Sequence, residues 1–279
     1  MLPKDRRWGE RRGAEHEGTT VSAKRAIDRI AQHLAESRRV LFVTGAGISA
    51  DSGLPTYRGV GGLYEGKDTE HGLPIEVALS GTTFAARPEI TWKYLAQIER
   101  TCRGAQPNAA HRAIAELERS LPYVMVLTQN VDGLHGKAGS HRVIEIHGRL
   151  DELLCTGCGY RAVTENLEGW SIPPRCPRCA GVLRPNVVLF GEALPGEALE
   201  RLFAALHEGF DMVFAIGTSA IFPYIAHAVL DAVRRGAPTV EINPVATRLT
   251  EHVAFRLRMG AAQAMAAIVS RMPPAAAGR

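Results

Sequence analysis

The stretch Val40-Leu41-Phe42-Val43-Thr44-Gly45-Ala46-Gly47-Ile48-Ser49 decides how this 279-residue chain folds. Four consecutive apolar residues predict a buried strand, and the Gly-Ala-Gly that follows predicts a tight turn where backbone can approach a ligand closely. Free N–H groups at such a turn can bind a pyrophosphate, so the stretch is a candidate dinucleotide cradle. Alone the pattern is weak, because G-x-G-x-x-A sequences also occur in turns that bind nothing.

Further apolar runs predict four more buried strands, at residues 124–127, 142–146, 211–216 and 239–242. Helical patterns separate or follow them at about 87–102, 108–120, 195–208, 223–235 and 260–271. Continuous apolar strands alternating with helices predict an α/β fold, a Rossmann-like parallel sheet covered by helices on both faces. Ligands of such sheets bind beyond the carboxyl ends of the strands, and there the polar motifs of this chain lie.

Composition excludes several classes of protein. Apolar residues make up 46% and charged residues 22% of the chain, which is ordinary for a globular protein. A net charge of +4 is too small to argue for nucleic-acid binding. We find neither a signal peptide nor an apolar run of roughly 20 residues, so no membrane association is expected. Five cysteines, four of them in close pairs, fit a reducing compartment and predict a cytoplasmic protein.

The segment after the glycine stretch argues against a simple dehydrogenase. A dinucleotide-binding βαβ unit carries an acidic ribose ligand on a second strand about 20 residues further on. Here that place holds Glu65, Asp68 and Glu70 in a polar, turn-rich segment. We therefore interpret residues 52–62 as a lid over the cradle.

Four cysteines form two equal pairs, Cys155-x-x-Cys158 and Cys176-x-x-Cys179. This spacing predicts a tetrahedral structural zinc site with no open position for a catalytic water. A redox-active pair is the lesser alternative, and free buried cysteines do not explain two equal spacings. The segment interrupts the α/β alternation, which indicates an inserted module too small for a core of its own.

The predicted domains follow from these patterns. A flexible arm (1–20) precedes a Rossmann-like domain made of 21–150 and 185–272. The zinc module (151–184) is inserted between them and is extended, in one reading, by part of 60–105. A flexible tail (273–279) ends the chain.

Two polar groups follow predicted strands. Gln129, Asn130 and Asp132 could bind a ligand's carboxamide and hydroxyls, or Asn and Asp could instead cap the next helix. His147, before Gly148, could serve as a general base, although a lone histidine is more often a structural hydrogen-bonding residue.

Taken together and in order, these motifs resemble those of the sirtuins, the NAD-dependent protein lysine deacylases. The resemblance covers about residues 22–271 and implies a small zinc domain beside the Rossmann-like domain, with acyl-lysine and NAD meeting between them. The motifs are 45–49, 53–58, 129–132, 147–148, the four cysteines, 184–192, 217–219 and 242–244.

The resemblance also implies a role for each site residue, with His147 as the base and Asn130 beside it in catalysis. NAD would be consumed as a co-substrate. Gln129 would contact the nicotinamide ribose, while Asn130 and Asp132 would line the nicotinamide pocket. The remaining NAD contacts would be Gly45, Ala46, Gly47, Ser49, Arg58, Gly217, Ser219, Asn243 and Ala262. The acylated peptide would pair as an added strand with the segment that includes Val187, Val188, Phe190 and Gly191.

The acyl pocket departs from the relatives that remove succinyl or malonyl groups. Those relatives carry Tyr and Arg three residues apart on a helix, where alignment on Trp92 places Leu95 and Ile98. Two apolar residues cannot pair a carboxylate, so we expect a preference for neutral acyl groups. Tyr94 or Arg100 would offer polar groups if the alignment differed.

Two alternatives stay open at this point. The same site could catalyse ADP-ribosyl transfer or NAD hydrolysis, because NAD cleavage is the shared first step. More distantly, the cysteines could belong to a zinc-ribbon nucleic-acid-binding protein, which the mild charge disfavours. The sequence does not indicate an oligomeric state.

Overall fold

The computed structural model describes residues 23–56, 69 and 72–273. The strands in this part of the chain are β1 (Arg39–Thr44), β2 (Tyr123–Thr128), β3 (Val143–Glu145), β4 (Gly148–Cys155), β5 (Arg161–Val163), β6 (Leu183–Val187), β7 (Met212–Ile216), β8 (Thr239–Ile242) and β9 (Phe255–Leu257). The helices are α1 (residues 23–36), α2 (Ile75–Ala78), α3 (Gly81–Ala86), α4 (Pro88–Cys102), α5 (Ala109–Ser120), α6 (Leu134–Ala138), α7 (Gly196–Glu208), α8 (Pro223–Arg234) and α9 (Ala261–Val269). A 310 helix, Ala46–Ser52, follows β1 directly.

Six strands form one parallel sheet in the order β3-β2-β1-β7-β8-β9. The chain builds outward from β1 in one direction through β2 and β3, and in the other through β7, β8 and β9. A crevice opens at the carboxyl ends of β1 and β7, where the strand order reverses. The predicted Rossmann-like sheet is confirmed.

Side chains of the central strands alternate between two cores, because successive residues of a strand point to opposite faces. Val40 and Phe42 of β1 pack with apolar residues of α1, α5 and α9. Leu41 and Val43 pack on the other face with residues of α7 and α8. The sheet is therefore covered by helices on both sides, which explains why its strands read as continuous apolar runs.

A third core lies outside the parallel sheet. It joins α2, α3 and α4 to an antiparallel sheet of order β5-β4-β6, and Trp92 is fully buried in it. The Trp92 indole N–H donates to the Leu183 carbonyl at 2.8 Å, tying α4 to β6. We propose that this core defines the smaller domain and combines the zinc module with the part of 60–105 that contains these helices.

Several elements were not predicted from the sequence, among them β9, the antiparallel sheet, α6 and the short helices α2 and α3. Strand β9 is only three residues long and contains Arg256, which lies 3.5 Å from Glu241 of β8 and breaks the apolar run. In the antiparallel sheet, β4 lacks a regular apolar alternation, β5 has only three residues and β6 contains Pro185, while α6 is a short helix after the Gln129 segment. Such elements depend on their neighbours rather than on a pattern of their own.

Several predictions concern residues outside the described part of the chain. These are the arm (1–20), Arg58, most of the lid (52–62) and all but the first residue of the tail (273–279). Within the described residues, no helix is both long and apolar enough to cross a bilayer.

Candidate active site

A cleft of about 880 Å³ lies at the carboxyl ends of the central strands, between the parallel sheet and the third core. Its walls include residues that follow β1, β2, β7 and β8, together with residues of α4 and of the segment after β6. The topology brings together motifs that are up to 200 residues apart in the chain, since all of these strand ends lie at one edge.

The glycine stretch is shaped by contact with a second glycine. The Gly47 N–H donates to the Gly217 carbonyl at 2.9 Å, and a β-carbon on Gly47 would lie 2.6 Å from the Gly217 α-carbon. The Gly45 N–H donates to the Ile216 carbonyl at 3.1 Å. The expectation that these N–H groups are free for a pyrophosphate is therefore wrong for Gly45 and Gly47. These glycines are needed because two backbone turns touch.

We expect Gly47→Ala to destabilise the protein. The new methyl group would meet backbone rather than a movable side chain, so the two turns must separate, at a cost of about 1–3 kcal/mol. Thermal unfolding followed by circular dichroism measures the loss. Gly196→Ala is the matched control, because an added β-carbon there has no atom within 4 Å. An equal Tm for parent and Gly47→Ala would contradict the close packing.

Three polar side chains form a network beside a small cavity of about 30 Å³ that adjoins the cleft. The Ser49 hydroxyl donates to Asp132 Oδ2 at 2.8 Å and accepts from the Asn130 amide at 3.1 Å. The other Asp132 oxygen accepts from the Leu134 N–H at 2.9 Å. Asp132 thus accepts from the first N–H of α6, whose N-cap residue is Gly133, and also lines the small cavity. Its contact with a ligand stays a prediction.

Thr218, which follows β7, links the loops at the ends of four strands. Its hydroxyl accepts from Gln129 Nε2 at 2.8 Å, and its carbonyl accepts from Asn243 Nδ2 at 3.2 Å. Gln129 Nε2 also donates to the Thr44 carbonyl at 3.2 Å. In the sequence, Thr218 appears only as the middle residue of the motif 217–219, with no role of its own. Its position just after a predicted strand is the signal that could have identified it as a site residue.

His147 lies in the cleft between β3 and β4. Its Nδ1 is 3.0 Å from the Gln129 carbonyl and its Nε2 is 2.6 Å from the Tyr224 hydroxyl. Burial lowers the pKa of His147, and the hydrogen bond to Gln129 opposes this only in part. A neutral ring that presents the electron pair of Nε2 at the cleft has the form required of a general base, and in this structure that electron pair accepts from the Tyr224 hydroxyl. Gly148 follows with φ +78°, and a β-carbon there would collide with the Asn186 carbonyl.

The segment Val187–Glu192 (defined here as the peptide segment) borders the cleft beside His147. Its Val188 N–H donates to the His147 carbonyl at 2.9 Å. Phe190 is already paired, because its N–H donates to Leu79 and its carbonyl accepts from Gly81, both at 3.0 Å. Arg184 holds the segment by bonding Glu192 at 2.7 Å and the Val187 carbonyl at 2.7 Å. The Val188 carbonyl and the Gly191 backbone make no hydrogen bond to another described residue.

The part of the cleft wall that α4 contributes is apolar. Leu95 and Ile98 of α4 both line the cleft, whereas Tyr94 and Arg100 are not among the described residues that line it. The charged residues of this lining are Asp51, Glu76 and Glu192, and no described lining residue is Lys or Arg.

The four cysteines meet in space. Their sulfur atoms lie within 4.8 Å of one another, and two pairs, Cys155 with Cys179 and Cys158 with Cys176, are 3.5 and 3.7 Å apart. Four thiolates around zinc at about 2.3 Å would be separated by about 3.8 Å, so the tetrad suits a structural zinc ion. Each Cys-x-x-Cys turn contains the same type of hydrogen bond. The Gly157 N–H donates to Cys155 Sγ, and the Arg178 N–H donates to Cys176 Sγ.

The remaining predicted residues line the cleft, except Ala262, which is not among the described residues that line it. Gly217, Ser219 and Asn243 line it, as do Gly260 and Ala261. Ala262 comes next, and its N–H donates to Asp51 Oδ2 at 3.1 Å. Neither Asp51 nor Tyr224 was singled out from the sequence, because no strand end or motif marks them.

Known proteins resemble this chain over most of its length. The model of the Sir2 family matches residues 45–223. A protein of Pseudomonas aeruginosa named NAD-dependent protein deacylase 2 is 50% identical, covering 88% of this chain and 97% of its own. Its namesake in Pseudomonas syringae is 50% identical, covering 87% and 98%. A solved Sir2 homologue mutant with bound ADP-ribose is 38% identical, with a TM-score of 0.80 over 88% of this chain and 95% of its own. A Sir2 structure with a deacetylated p53 peptide and acetyl-ADP-ribose is 30% identical, with a TM-score of 0.78 over 87% and 96%.

Proposed function

The chain belongs to the Sir2 family, and from this premise we propose how its cleft carries out NAD-dependent deacylation of lysine side chains in proteins or peptides. The observation that supports the proposal is the position of His147, which lies between the cleft's NAD-facing motifs and the peptide segment. Acylated peptides or proteins and NAD are the two substrates. A cytoplasmic location stays a prediction.

NAD would lie along the carboxyl edge of the parallel sheet. Its adenosine end would contact Gly217, Ser219, Asn243 and Ala262. Its phosphates would contact the 45–49 turn and Arg58. Because the described cleft lining has no cation, Arg58 would supply the positive charge that the pyrophosphate requires. The nicotinamide ring would enter the small cavity lined by Asn130 and Asp132.

The acylated peptide would pair with the free backbone groups of the peptide segment, at the Val188 carbonyl and at Gly191. This differs from the initial expectation for Phe190, whose backbone bonds are occupied by Leu79 and Gly81. Main-chain pairing recognises extended peptides with little regard to sequence.

The acyl oxygen would attack C1′ of the nicotinamide ribose as the bond from C1′ to the ring nitrogen breaks and nicotinamide leaves. His147 Nε2 would then take the proton of a ribose hydroxyl, whose oxygen attacks the acyl carbon. Addition of water and release of the amine give free lysine and O-acyl-ADP-ribose. General base catalysis of this kind contributes about 10²–10⁴-fold to a rate.

Mass spectrometry of products from an acyl-peptide panel with NAD tests this function. We expect nicotinamide release to depend on the acylated peptide and to match O-acyl-ADP-ribose formation one to one. Release without peptide, or transfer of ADP-ribose to protein, would instead indicate NAD hydrolysis or ADP-ribosyl transfer.

We expect acetyl-lysine to be preferred over succinyl-lysine by at least about 100-fold in kcat/KM, since burying an unpaired carboxylate costs several kcal/mol and each factor of ten equals about 1.4 kcal/mol. Leu95 and Ile98 are three residues apart on one helix, so both face the same part of the cleft. Rates for both acyl groups on one peptide sequence provide the measurement.

A double variant, Leu95→Tyr with Ile98→Arg, should lower the ratio of kcat/KM for acetyl-lysine to kcat/KM for succinyl-lysine, because it adds a hydroxyl and a cation to the wall. Leu95→Tyr alone is the control, because it changes the volume of the wall without adding charge. A parent enzyme that removes succinyl faster than acetyl would overturn the assignment of the acyl pocket.

A further inference from the structure

Tyr224 makes the second polar contact of the proposed base. Its hydroxyl lies 2.6 Å from His147 Nε2, while His147 Nδ1 lies 3.0 Å from the Gln129 carbonyl. A carbonyl only accepts, so Nδ1 must carry the hydrogen. In the neutral ring Nε2 is then the acceptor, and the Tyr224 hydroxyl donates to it.

Aromatic packing holds Tyr224 in this position. Its ring stacks on Phe222 with centroids 5.6 Å apart and an angle of 17° between planes. His147 meets both rings edge to face, at 5.6 Å from Phe222 and 6.1 Å from Tyr224. Burial raises the pKa of Tyr224 to about 12, so its hydroxyl stays protonated at neutral pH.

The electron pair of Nε2 is therefore occupied by the Tyr224 hydroxyl. A base cannot accept a proton from a ribose hydroxyl while the same electron pair accepts from Tyr224. Tyr224 is half-buried, in the first turn of α8, and lines the cleft. Its ring can leave Nε2 by a change of side-chain rotamer.

We propose that Tyr224 is a positioning residue that caps His147 Nε2 and that the ribose hydroxyl of NAD must displace it to reach the base. The inference rests on the proposed role of His147 as the base. The cap keeps the imidazole in the tautomer with hydrogen on Nδ1, which is the tautomer that can accept a proton at Nε2. To reach Nε2, the ribose hydroxyl of NAD must break the hydrogen bond from Tyr224 and form its own in that place. The cap therefore weakens NAD binding.

Among the described residues, the Tyr224 hydroxyl is the main polar side-chain contact of His147 in the cleft. On its own segment, Glu145 and Arg149 pair with each other at 3.8 Å. The elements packed against it contribute Phe222, which is the N-cap of α8, Tyr224 of α8, and Val188, whose N–H donates to the His147 carbonyl. Glu76 and Glu192 are carboxylates of the wider cleft lining.

Tyr224→Phe tests the cap, because it removes only the hydroxyl. In isothermal titration with NAD and no peptide, we expect the Kd to fall roughly two- to ten-fold, the range that one net hydrogen bond implies. The kcat should stay within about two-fold of the parent. The His147 pKa, read by ¹⁵N NMR, should rise, because the lost hydrogen bond stabilised the neutral ring. The acid limb of kcat/KM would move to higher pH accordingly.

Tyr123→Phe at the opposite end of β2 is the matched control and should change none of these values. Unchanged NAD affinity and His147 pKa in Tyr224→Phe would overturn the cap. A kcat loss of ten-fold or more at constant KM would also overturn it, by placing Tyr224 in the proton transfer. If the parent releases no nicotinamide with acylated peptide, the proposed function fails, while the titration and NMR comparison still decides on Tyr224.

Discussion

His147→Ala should lower kcat/KM for deacetylation by about 10²–10⁴-fold, the contribution of a positioned general base. The loss should concern the step in which the ribose hydroxyl attacks the acyl carbon. Exchange of labelled nicotinamide into NAD reports the earlier step, which needs no proton acceptor, and should fall less. Steady-state rates and nicotinamide exchange on the same acetyl-peptide provide the measurement.

The fold of His147→Ala should persist. The substitution frees the Gln129 carbonyl and the Tyr224 hydroxyl at the edge of a cleft that water can enter, so we expect a Tm lower by only a few degrees. His227→Ala, at an exposed position of α8, is the control and should retain parent activity. A folded His147→Ala enzyme with parent deacetylation rates would show that another group is the base.

Replacing Cys155 by Ala should release zinc and destabilise the protein strongly. Cys155 is 3% exposed and joins β4 to the tetrad, so its loss opens the metal site inside the smaller domain. Metal binding contributes directly to folding in such modules, and we expect the Tm to fall by about 10 °C. Because β6 leads into the peptide segment, deacetylation should be lost as well.

Zinc content by inductively coupled plasma mass spectrometry, read beside the Tm, checks this expectation. The parent should carry one zinc per chain. Cys102→Ala serves as the control, because Cys102 lies outside the tetrad and should leave the zinc content unchanged. A Cys155→Ala protein that keeps a full equivalent of zinc would rule out the four-thiolate site.

Local patterns were sufficient for the main architecture. The strands at 40–43, 124–127 and 212–216 are buried on both faces, so each carries an unbroken apolar run that is visible in the sequence, whereas the buried strand at 239–242 also contains Thr239 and Glu241. The cysteine spacing likewise predicted a cluster, since each Cys-x-x-Cys pair forms its own turn with an N–H that donates to its first sulfur. Residues after the strand ends were correctly predicted to lie in one cleft, because parallel strands end at the same edge.

Other features depend on contacts between distant segments, and local patterns do not contain them. Gly47 and Gly217 are 170 positions apart, and only the adjacency of β1 and β7 shows that Gly47 serves backbone contact rather than a free N–H. The backbone pairing of Phe190 with Leu79 and Gly81 also joins segments that are far apart in the sequence.

The main strands of the parallel sheet, the cysteine cluster and the family were readable from the chain alone, because each rests on residues close together or on a sequence of motifs. The hydrogen-bonding partners of the site required the tertiary structure. His147 could be named as a candidate base from its place after a strand, but Tyr224, 77 positions later, reaches it only because α8 packs against the same edge of the sheet. A side chain's partner is set by where the other elements pack.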